Sequence, residues 1–405
     1  MRVLLSTIGS RGDVQPLVAL ATQLRALGQE VRLCVPPDFR DWIESLGMPV
    51  TPIGPELRTL TAATPPANAT PPSPEQLRRL AEASVTAQFE TVMTAAKDCD
   101  LIVAATAIQV AARSVAEVLK IPYVFTAFCP IVLPSVHHAP APAPGRPPVD
   151  GDNRTLWAED AARFTTNFGA ALNNHRTTLG LTPVSDVRAH IFADHPLLAA
   201  DPTLAPWPEP GGDVVQTGAW ILPDERPLSS ELSAFLDAGD PPVYFGFGSI
   251  RAPRGLAEAM LEAARATGRR AILSRGWADL LPESPGPEVL SIGEVNQQAL
   301  FSRVAAVVHH GGAGTTTAAA LAGTPQVVVP QVYDQYYWAE QIHRLNVGIA
   351  HPPGVPTAES LTVSLSEALW PDIANNAAGL AGRIRTDGAS AAANHVLKLA
   401  AEAGS

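Results

Sequence analysis

Two histidines, three glycines and a threonine follow one another in His309-His310-Gly311-Gly312-Ala313-Gly314-Thr315, directly after an apolar run over 304–308. Such a loop suits an anion. Glycine lets backbone N–H groups approach a phosphate closely, a helix opening at about Thr315 would add its partial positive charge, and His309 would donate a further hydrogen bond. The competing reading is a tight strand-to-helix turn, which gives two histidines no packing reason to stand at its mouth. We therefore read 309–315 as a diphosphate site, with His309, Gly311, Gly312, Gly314 and Thr315 supplying the contacts.

Asp334-Gln335 lies beyond a further apolar run over 326–329 and its Pro330 stop. In a parallel α/β sheet that places the pair beside the histidine loop, at neighbouring strand ends. A carboxylate and an amide there match a sugar, whose hydroxyls both donate and accept; alone, the pair would read as a helix cap. Gly246-Phe247-Gly248-Ser249 repeats the strand-then-glycine pattern, so Ser249 is either another diphosphate donor or part of a first turn. Trp277 offers an indole face to a nucleobase, with a packed tryptophan as the equal alternative, and Val295 and Gln298 are assigned to the nucleoside beside it.

Near the N-terminus, Gly9-Ser10-Arg11-Gly12-Asp13-Val14-Gln15-Pro16 sets Asp13 at a helix start on the sheet's carboxyl edge. A carboxylate in that cleft can take a proton from a hydroxyl, so Asp13 is the candidate general base, and a simple N-cap is its rival reading. The helix dipole keeps Asp13 ionised and weakens it as a base, an effect that burial under a bound acceptor would offset. Ser10, Arg11 and Gly12 are counted with the diphosphate contacts. The loop is no dinucleotide fingerprint, because the third glycine of G-x-G-x-x-G is missing. Asp150-Gly151-Asp152 has the form of a metal-binding D-x-D but sits among prolines without flanking strands, and reads as a solvated turn. No metal and no other cofactor is expected.

The elements that position these residues follow from periodicity. Apolar runs over 2–8, 30–35, 101–105 and 122–126 alternate with helical spacing over 17–27, 38–46 and 111–119, which predicts a parallel sheet with helices on both faces. A second alternation begins after Pro223, with strands over 243–246, 271–273, 304–308, 326–329 and 347–350 and helices over 257–267, 315–322, 339–345 and 358–369. The fold class is α/β, with two Rossmann-like domains. Their expected bounds are 1–205 and 223–385, joined by a linker over 206–222, and an Ala-rich helix over 386–405 either closes the second domain or crosses back to the first. Pro- and Ala-crowded stretches over 61–74 and 130–148 read as long surface loops.

Bulk properties narrow the function. At 405 residues the chain is long enough for two cores, and its apolar runs fall far short of the roughly 20 residues a membrane span requires. A net charge of -11 speaks against a nucleic-acid partner, and the N-terminal apolar run is too short for a signal peptide. Cys34, Cys99 and Cys129 are too far apart to suggest a disulfide framework or zinc site. The expectation is a cytoplasmic protein, monomer or weak dimer, whose partners are a nucleotide-sugar and a small-molecule acceptor.

With these residues laid out, the chain resembles the GT-B glycosyltransferases of family 1, in the branch that decorates glycopeptide antibiotics of the vancomycin group. The resemblance rests on Gly9-Ser10-Arg11-Gly12-Asp13, Val215-Gln216-Thr217-Gly218-Ala219-Trp220, Phe245-Gly246-Phe247-Gly248-Ser249, the 309–315 loop and Asp334-Gln335. It implies two domains facing across a cleft, the acceptor bound in the first and a dTDP- or UDP-sugar in the second. It further implies metal-independent transfer with inversion to a hydroxyl of a natural-product aglycone, with Asp13 as base where many family members carry histidine. Tyr336-Tyr337-Trp338 departs from the Gln-Pro-Tyr type of continuation common in the antibiotic branch, which leaves the donor sugar open. His137 and His138 lie in the region that should meet the acceptor. A sterol or polyketide acceptor, a nucleotide-sugar epimerase and a non-catalytic nucleotide-sugar-binding protein are the rival readings.

Overall fold

The computed structural model describes residues 1–62, 73–143, 147–209, 211–248, 255–277 and 286–403. Thirteen strands form among them: β1 (Arg2–Thr7), β2 (Glu30–Val35), β3 (Val50–Pro52), β4 (Leu101–Ala105), β5 (Tyr123–Ala127), β6 (Leu197–Leu198), β7 (Val215–Gln216), β8 (Val243–Gly246), β9 (Ala271–Ser274), β10 (Val289–Ile292), β11 (Ala306–His309), β12 (Gln326–Val328) and β13 (Gly348–Ala350). They build two wholly parallel sheets, ordered β3-β2-β1-β4-β5-β6-β7 and β10-β9-β8-β11-β12-β13. Central strands such as Leu101–Ala105 are buried along their whole length, because helices cover both faces of a parallel sheet.

Strand order reverses at β1/β4 in the first sheet and at β8/β11 in the second. At such a switch point the loops leaving neighbouring strands diverge to opposite faces and open a crevice at the carboxyl ends. The three glycine loops singled out for chemistry fall there. Ile8–Asp13 leaves β1, Gly246–Gly248 leaves β8, and His309–Gly312 leaves β11.

The second sheet begins at β8, where its first strand was expected. β7 lies inside the segment read as linker and forms the edge of the first sheet, so the chain crosses over after Gln216. The C-terminal helix, Gly388–Ala403, returns to the first domain, where Ala389, Ala392, Ala393 and Val396 pack with Val14, Leu17 and Leu24 of the Arg11–Ala26 helix. Asp201 ties the two crossings together: its Oδ2 accepts the Arg385 N–H at 2.8 Å, while Oδ1 accepts those of Thr203 and Leu204.

Some local expectations are corrected. The segment 130–148 is only partly a surface loop, since Ile131 and Leu133 are buried and join the first domain's core. Of 61–74, residues 63–72 lie outside the described part, and Pro74 opens a helix, Pro74–Ala95, behind a Ser73-Gln76 capping box. That helix packs on Asn153–Thr178, and neither was anticipated. Asp152 of the D-x-D triplet caps the second of them, accepting from the Thr155 N–H at 2.9 Å and its hydroxyl at 2.8 Å. β3, β6, β7 and β10 also went unread, being short or poor in alternation.

Candidate functional site

The helix after β11 begins at Ala313, two residues earlier than expected, so Gly314 and Thr315 stand in its first turn. Gly312 is its N-cap and brings no side chain to satisfy the N–H groups there. The Thr316 and Thr317 hydroxyls bond back to the carbonyls of Gly312 and Ala313 at 2.9 and 2.8 Å, and do not reach the mouth of the turn. A helix end of this kind, facing a crevice, is an anion-binding feature.

Gly311 is what lets the loop close over its neighbour. Its φ is 92°, in the left-handed region, and a Cβ there would stand 2.7 Å from Val328 Cγ1 and 3.1 Å from the Gln335 carbonyl oxygen. The histidine loop and the Asp334-Gln335 turn are thus in backbone contact, with only a glycine able to sit between them. At Gly314, in contrast, a Cβ would meet open space.

His309 is used differently from the sequence reading. His309 is fully buried, its Nε2 donating to Gln326 Oε1 at 2.9 Å and its Nδ1 accepting the Gly311 N–H at 3.1 Å. An accepted N–H fixes the neutral tautomer, and burial pushes the ring down to about 3. Both nitrogens are used inside the protein, so His309 is no diphosphate donor; it shapes the loop. His310 is the available imidazole. Its ring lies between Gly248 and Gly312, burial pushes it down to about 4, and its Nδ1 is buried with the Gly246 backbone near by but without a hydrogen bond of normal geometry. Continuing the β11 pattern by one residue would have signalled this, since His309 is the last residue of the buried strand.

Asp334 caps the Gln335–Arg344 helix by position, and its Oδ2 accepts the Trp338 indole N–H at 3.0 Å. Gln335 is buried, and its Oε1 accepts the Gln331 and Val332 N–H groups at 2.8 and 3.1 Å. That amide oxygen braces the loop and is not free for a sugar, so the gripping pair reduces to Asp334 with whatever Gln335 Nε2 can offer.

Across the crevice, Asp13 is the third residue of a helix capped by Ser10. Its Oδ2 accepts the Ser10 N–H at 2.7 Å and the Ser10 hydroxyl at 3.2 Å, while Ser10 Oγ accepts the Gly12 N–H at 3.3 Å. Gly9 permits this folding back, since a Cβ there would overlap the Asp13 carboxylate. Ser10 is therefore spent largely on holding Asp13, and Gly12 is exposed at the rim. Burial pushes Asp13 up to about 6 against the pull of its Ser10 bonds, and the Asp334 charge raises it further. Asp334 is itself pushed up to about 6 by burial. The charge that raises Asp13 thus comes from the other domain.

Arg11 leaves the diphosphate set. Its guanidinium pairs with Glu294 of the second domain at 3.0 Å, bonds Gln15 and lies 4.5 Å from the Trp42 ring centroid. It bridges the domains instead. Because Glu294 is 68% exposed, Arg11→Ala should cost under about 1 kcal/mol of stability and change donor affinity less than threefold, read by thermal melting and donor titration.

The remaining candidates divide. Trp277 packs on Phe39 of the first domain, with centroids 6.2 Å apart and planes at 26°, and its N–H bonds the Gly248 carbonyl. Gln298 holds the interdomain segment through Leu222 O and the Asp224 N–H, at 2.9 and 3.3 Å, and Val295 packs against the Leu300-Phe301 core. For Trp277 this is the packed alternative, and the Gln298 amide is spent on the interdomain segment. His138 is wedged edge-on between Trp157 and Trp207, and burial pulls its pKa down, whereas His137 is exposed. Ser249 lies outside the described residues.

Two parallel-sheet domains, with an uncapped helix start in the second and switch-point loops in each, describe a GT-B architecture. Residues 3–137 match the glycosyltransferase family 28 N-terminal domain, and 279–394 match the C-terminal domain of erythromycin biosynthesis protein CIII-like proteins. The chain is 49% identical to glycosyltransferase GtfE of Amycolatopsis orientalis, over 97% of this chain and 96% of that one. The chain belongs to the vancomycin-group glycosyltransferases. The vancomycin aglycone glucosyltransferase of the same organism is 48% identical, over 98% and 97% of the two chains. Among solved structures, glycosyltransferase VinC in complex with dTDP superposes with a TM-score of 0.66 at 20% identity, covering 99% of this chain and 100% of that one, a likeness of fold. This glycosyltransferase has no helix long and apolar enough to cross a membrane among its described residues.

Proposed function

We propose that this glycosyltransferase moves a sugar from a dTDP- or UDP-sugar to a hydroxyl of a natural-product aglycone of the glycopeptide type, with inversion and without a metal ion. The observation that carries the reading is the contact of Gly311 with the Gln335 backbone, which sets the Asp334-Gln335 turn against the loop leading to the uncapped helix start at Ala313, with the Asp334 charge acting on Asp13 of the first domain. Asp334 holds a sugar hydroxyl, and the first-turn N–H groups with His310 hold the diphosphate. Asp13 takes the proton of the acceptor hydroxyl as that oxygen bonds to the anomeric carbon. On the opposite face the bond from the anomeric carbon to the diphosphate oxygen breaks, and the nucleoside diphosphate departs with the electron pair. Backbone N–H groups stabilise the charge that accumulates there, which is where they contribute most to rate. Attack opposite the leaving group inverts the anomeric configuration. The names of the relatives support the acceptor class, and the dTDP in VinC supports the donor class.

The test is a wild-type transfer assay with dTDP- and UDP-glucose against vancomycin aglycone, with and without EDTA, followed by NMR of the product. A β-glycoside from the α-linked donor, formed equally in EDTA, is the expected result. A retained α-linkage, loss of activity with EDTA, or sugar released without any acceptor would each defeat a stated part of the reading, the last favouring an epimerase-like elimination.

A further inference from the structure

The loop leaving β4 is strained where it passes the root of the loop that carries Asp13. Thr106, its first residue, has φ 72°, left-handed backbone that is an outlier for a β-branched side chain. Hydrogen bonds on both sides impose it. The Gln109 N–H donates to the Thr106 carbonyl at 3.2 Å, and Gln88, buried on the Pro74–Ala95 helix, accepts the Ala111 N–H at 3.2 Å and donates to the Ile108 carbonyl at 3.0 Å. Glycine would hold such a turn without strain, so a threonine there points to a use for its side chain.

That side chain reaches the end of β1. The Thr106 hydroxyl donates to the Ile8 carbonyl at 3.1 Å, while the Thr7 hydroxyl donates in the other direction, to the Ala105 carbonyl at 3.3 Å. The pairing of the two strands ends at Thr7 and Ala105, so the Thr106 hydroxyl extends the join by one residue, to the point where the chains diverge. Gln109, fully buried, adds a third tie from its Nε2 to the Ser6 hydroxyl at 2.8 Å. Ile8 leads directly into Gly9 and Ser10, and the Ser10 N–H holds the Asp13 carboxylate at 2.7 Å. Gly9 alone separates the carbonyl that Thr106 grips from the residue that grips Asp13.

We propose that Thr106 is a positioning residue for the general base: its hydroxyl fixes where the Ile8–Ser10 loop leaves the sheet, and so where the Asp13 carboxylate stands relative to the acceptor hydroxyl. The proposal rests on the transferase reading above, with Asp13 as base. It requires no contact between Thr106 and either substrate. Proton removal needs hydrogen-bond reach, and a misplacement of about 1 Å originating far from the chemistry costs up to roughly 100-fold in rate. Loss of the tie at the loop's root therefore acts on kcat and leaves binding in place.

The experiment compares full-length wild type with Thr106→Val, Thr106→Gly and Thr106→Ser, each also in the Asp13→Asn background, using dTDP- and UDP-glucose with vancomycin aglycone. Valine keeps the shape and the strain but loses the hydroxyl, glycine loses both, and serine keeps the hydroxyl. Thr106→Val and Thr106→Gly should each lower kcat by about tenfold or more, with both KM values and the dTDP dissociation constant within about twofold. Thr106→Ser should restore kcat to within about threefold of wild type. Tm should stay within about 4 °C throughout, since one hydrogen bond is at stake. In the Asp13→Asn background the same substitutions should change the residual rate less than twofold, because the hydroxyl acts through the base. Unchanged kcat in Thr106→Gly overturns the proposal, as does an equal loss in both backgrounds, a loss carried by KM or dTDP affinity, or a folded Thr106→Ser as slow as Thr106→Val. Near-full turnover in Asp13→Asn alone defeats the base reading and this proposal together, whereas a slow Asp13→Asn beside a fully active Thr106→Gly defeats this proposal only.

Discussion

Asp13→Asn should lower kcat/KM for transfer by roughly 10²- to 10⁴-fold while donor and acceptor binding stay within a few-fold, because only proton removal is lost. Asparagine keeps an oxygen able to accept the Ser10 N–H, so the capping arrangement survives. The pH profile gives a second readout. The base must be ionised, and Asp13 is pushed up to about 6. Wild-type kcat/KM should therefore be flat above about pH 7 and fall as pH drops through about 6. Asp334 is also pushed up to about 6, so the fall should be broader than a single ionisation and belong to the pair. Stability runs the other way. Both carboxylates are raised above the ordinary 3.8, so their contribution to folding is fully present below about pH 4 and is lost as pH rises through about 6. Asp13→Asn, which cannot ionise, should then melt no lower than wild type at pH 8. Near-full turnover in the variant, with both substrates bound, removes Asp13 as the base.

Gly311→Ala should be the most damaging small change in the second domain. The new methyl would sit against Val328 and the Gln335 backbone at a left-handed position, and the combined strain and overpacking are about 3 kcal/mol. For a domain of this size that lowers Tm by roughly 10 °C. Since the displaced neighbour is the start of the helix bearing Asp334, dTDP-sugar affinity should fall by more than tenfold at temperatures where the variant is still folded. Gly314→Ala is the contrast. Open space surrounds that position and alanine favours a helix, so Tm should hold or rise. A variant at 311 that melts low but binds the donor normally would show that the loop is structural and the diphosphate lies elsewhere.

Much of the fold was legible because α/β alternation writes itself in local pattern. The strands over 2–7, 30–35, 101–105, 243–246 and 306–309 are largely apolar runs, and the helices between them show the 3.6-residue period. β6 and β7 are two residues each and carry no period at all, so they were invisible. Helix Asn153–Thr178 is polar along most of its length and was hidden among prolines, though the Asp152 cap three residues before Thr155 was a readable start. Within the candidate site, Asp13, Asp334 and the glycine loop were singled out by type and position. What misled was side-chain direction: Arg11, Gln298 and Gln335 are the right residue types, each turned to brace the protein.

By itself the sequence determined which loops could meet an anion, a sugar and a hydroxyl, since strand parity and switch-point logic place loops from local pattern alone. Only the tertiary structure decided how the side chains of those loops are used. His309 is locked by Gln326, seventeen residues away on the next strand. The raised carboxylate of Asp13 arises from burial and from the Asp334 charge, more than three hundred residues away in sequence, and that of Asp334 from burial. Such couplings depend on distance in space through a low-dielectric crevice, a quantity that no local pattern encodes. The same holds for the histidine loop's central glycine: its type is plain in the sequence, but the Gln335 backbone that makes it indispensable is brought against it only by the fold.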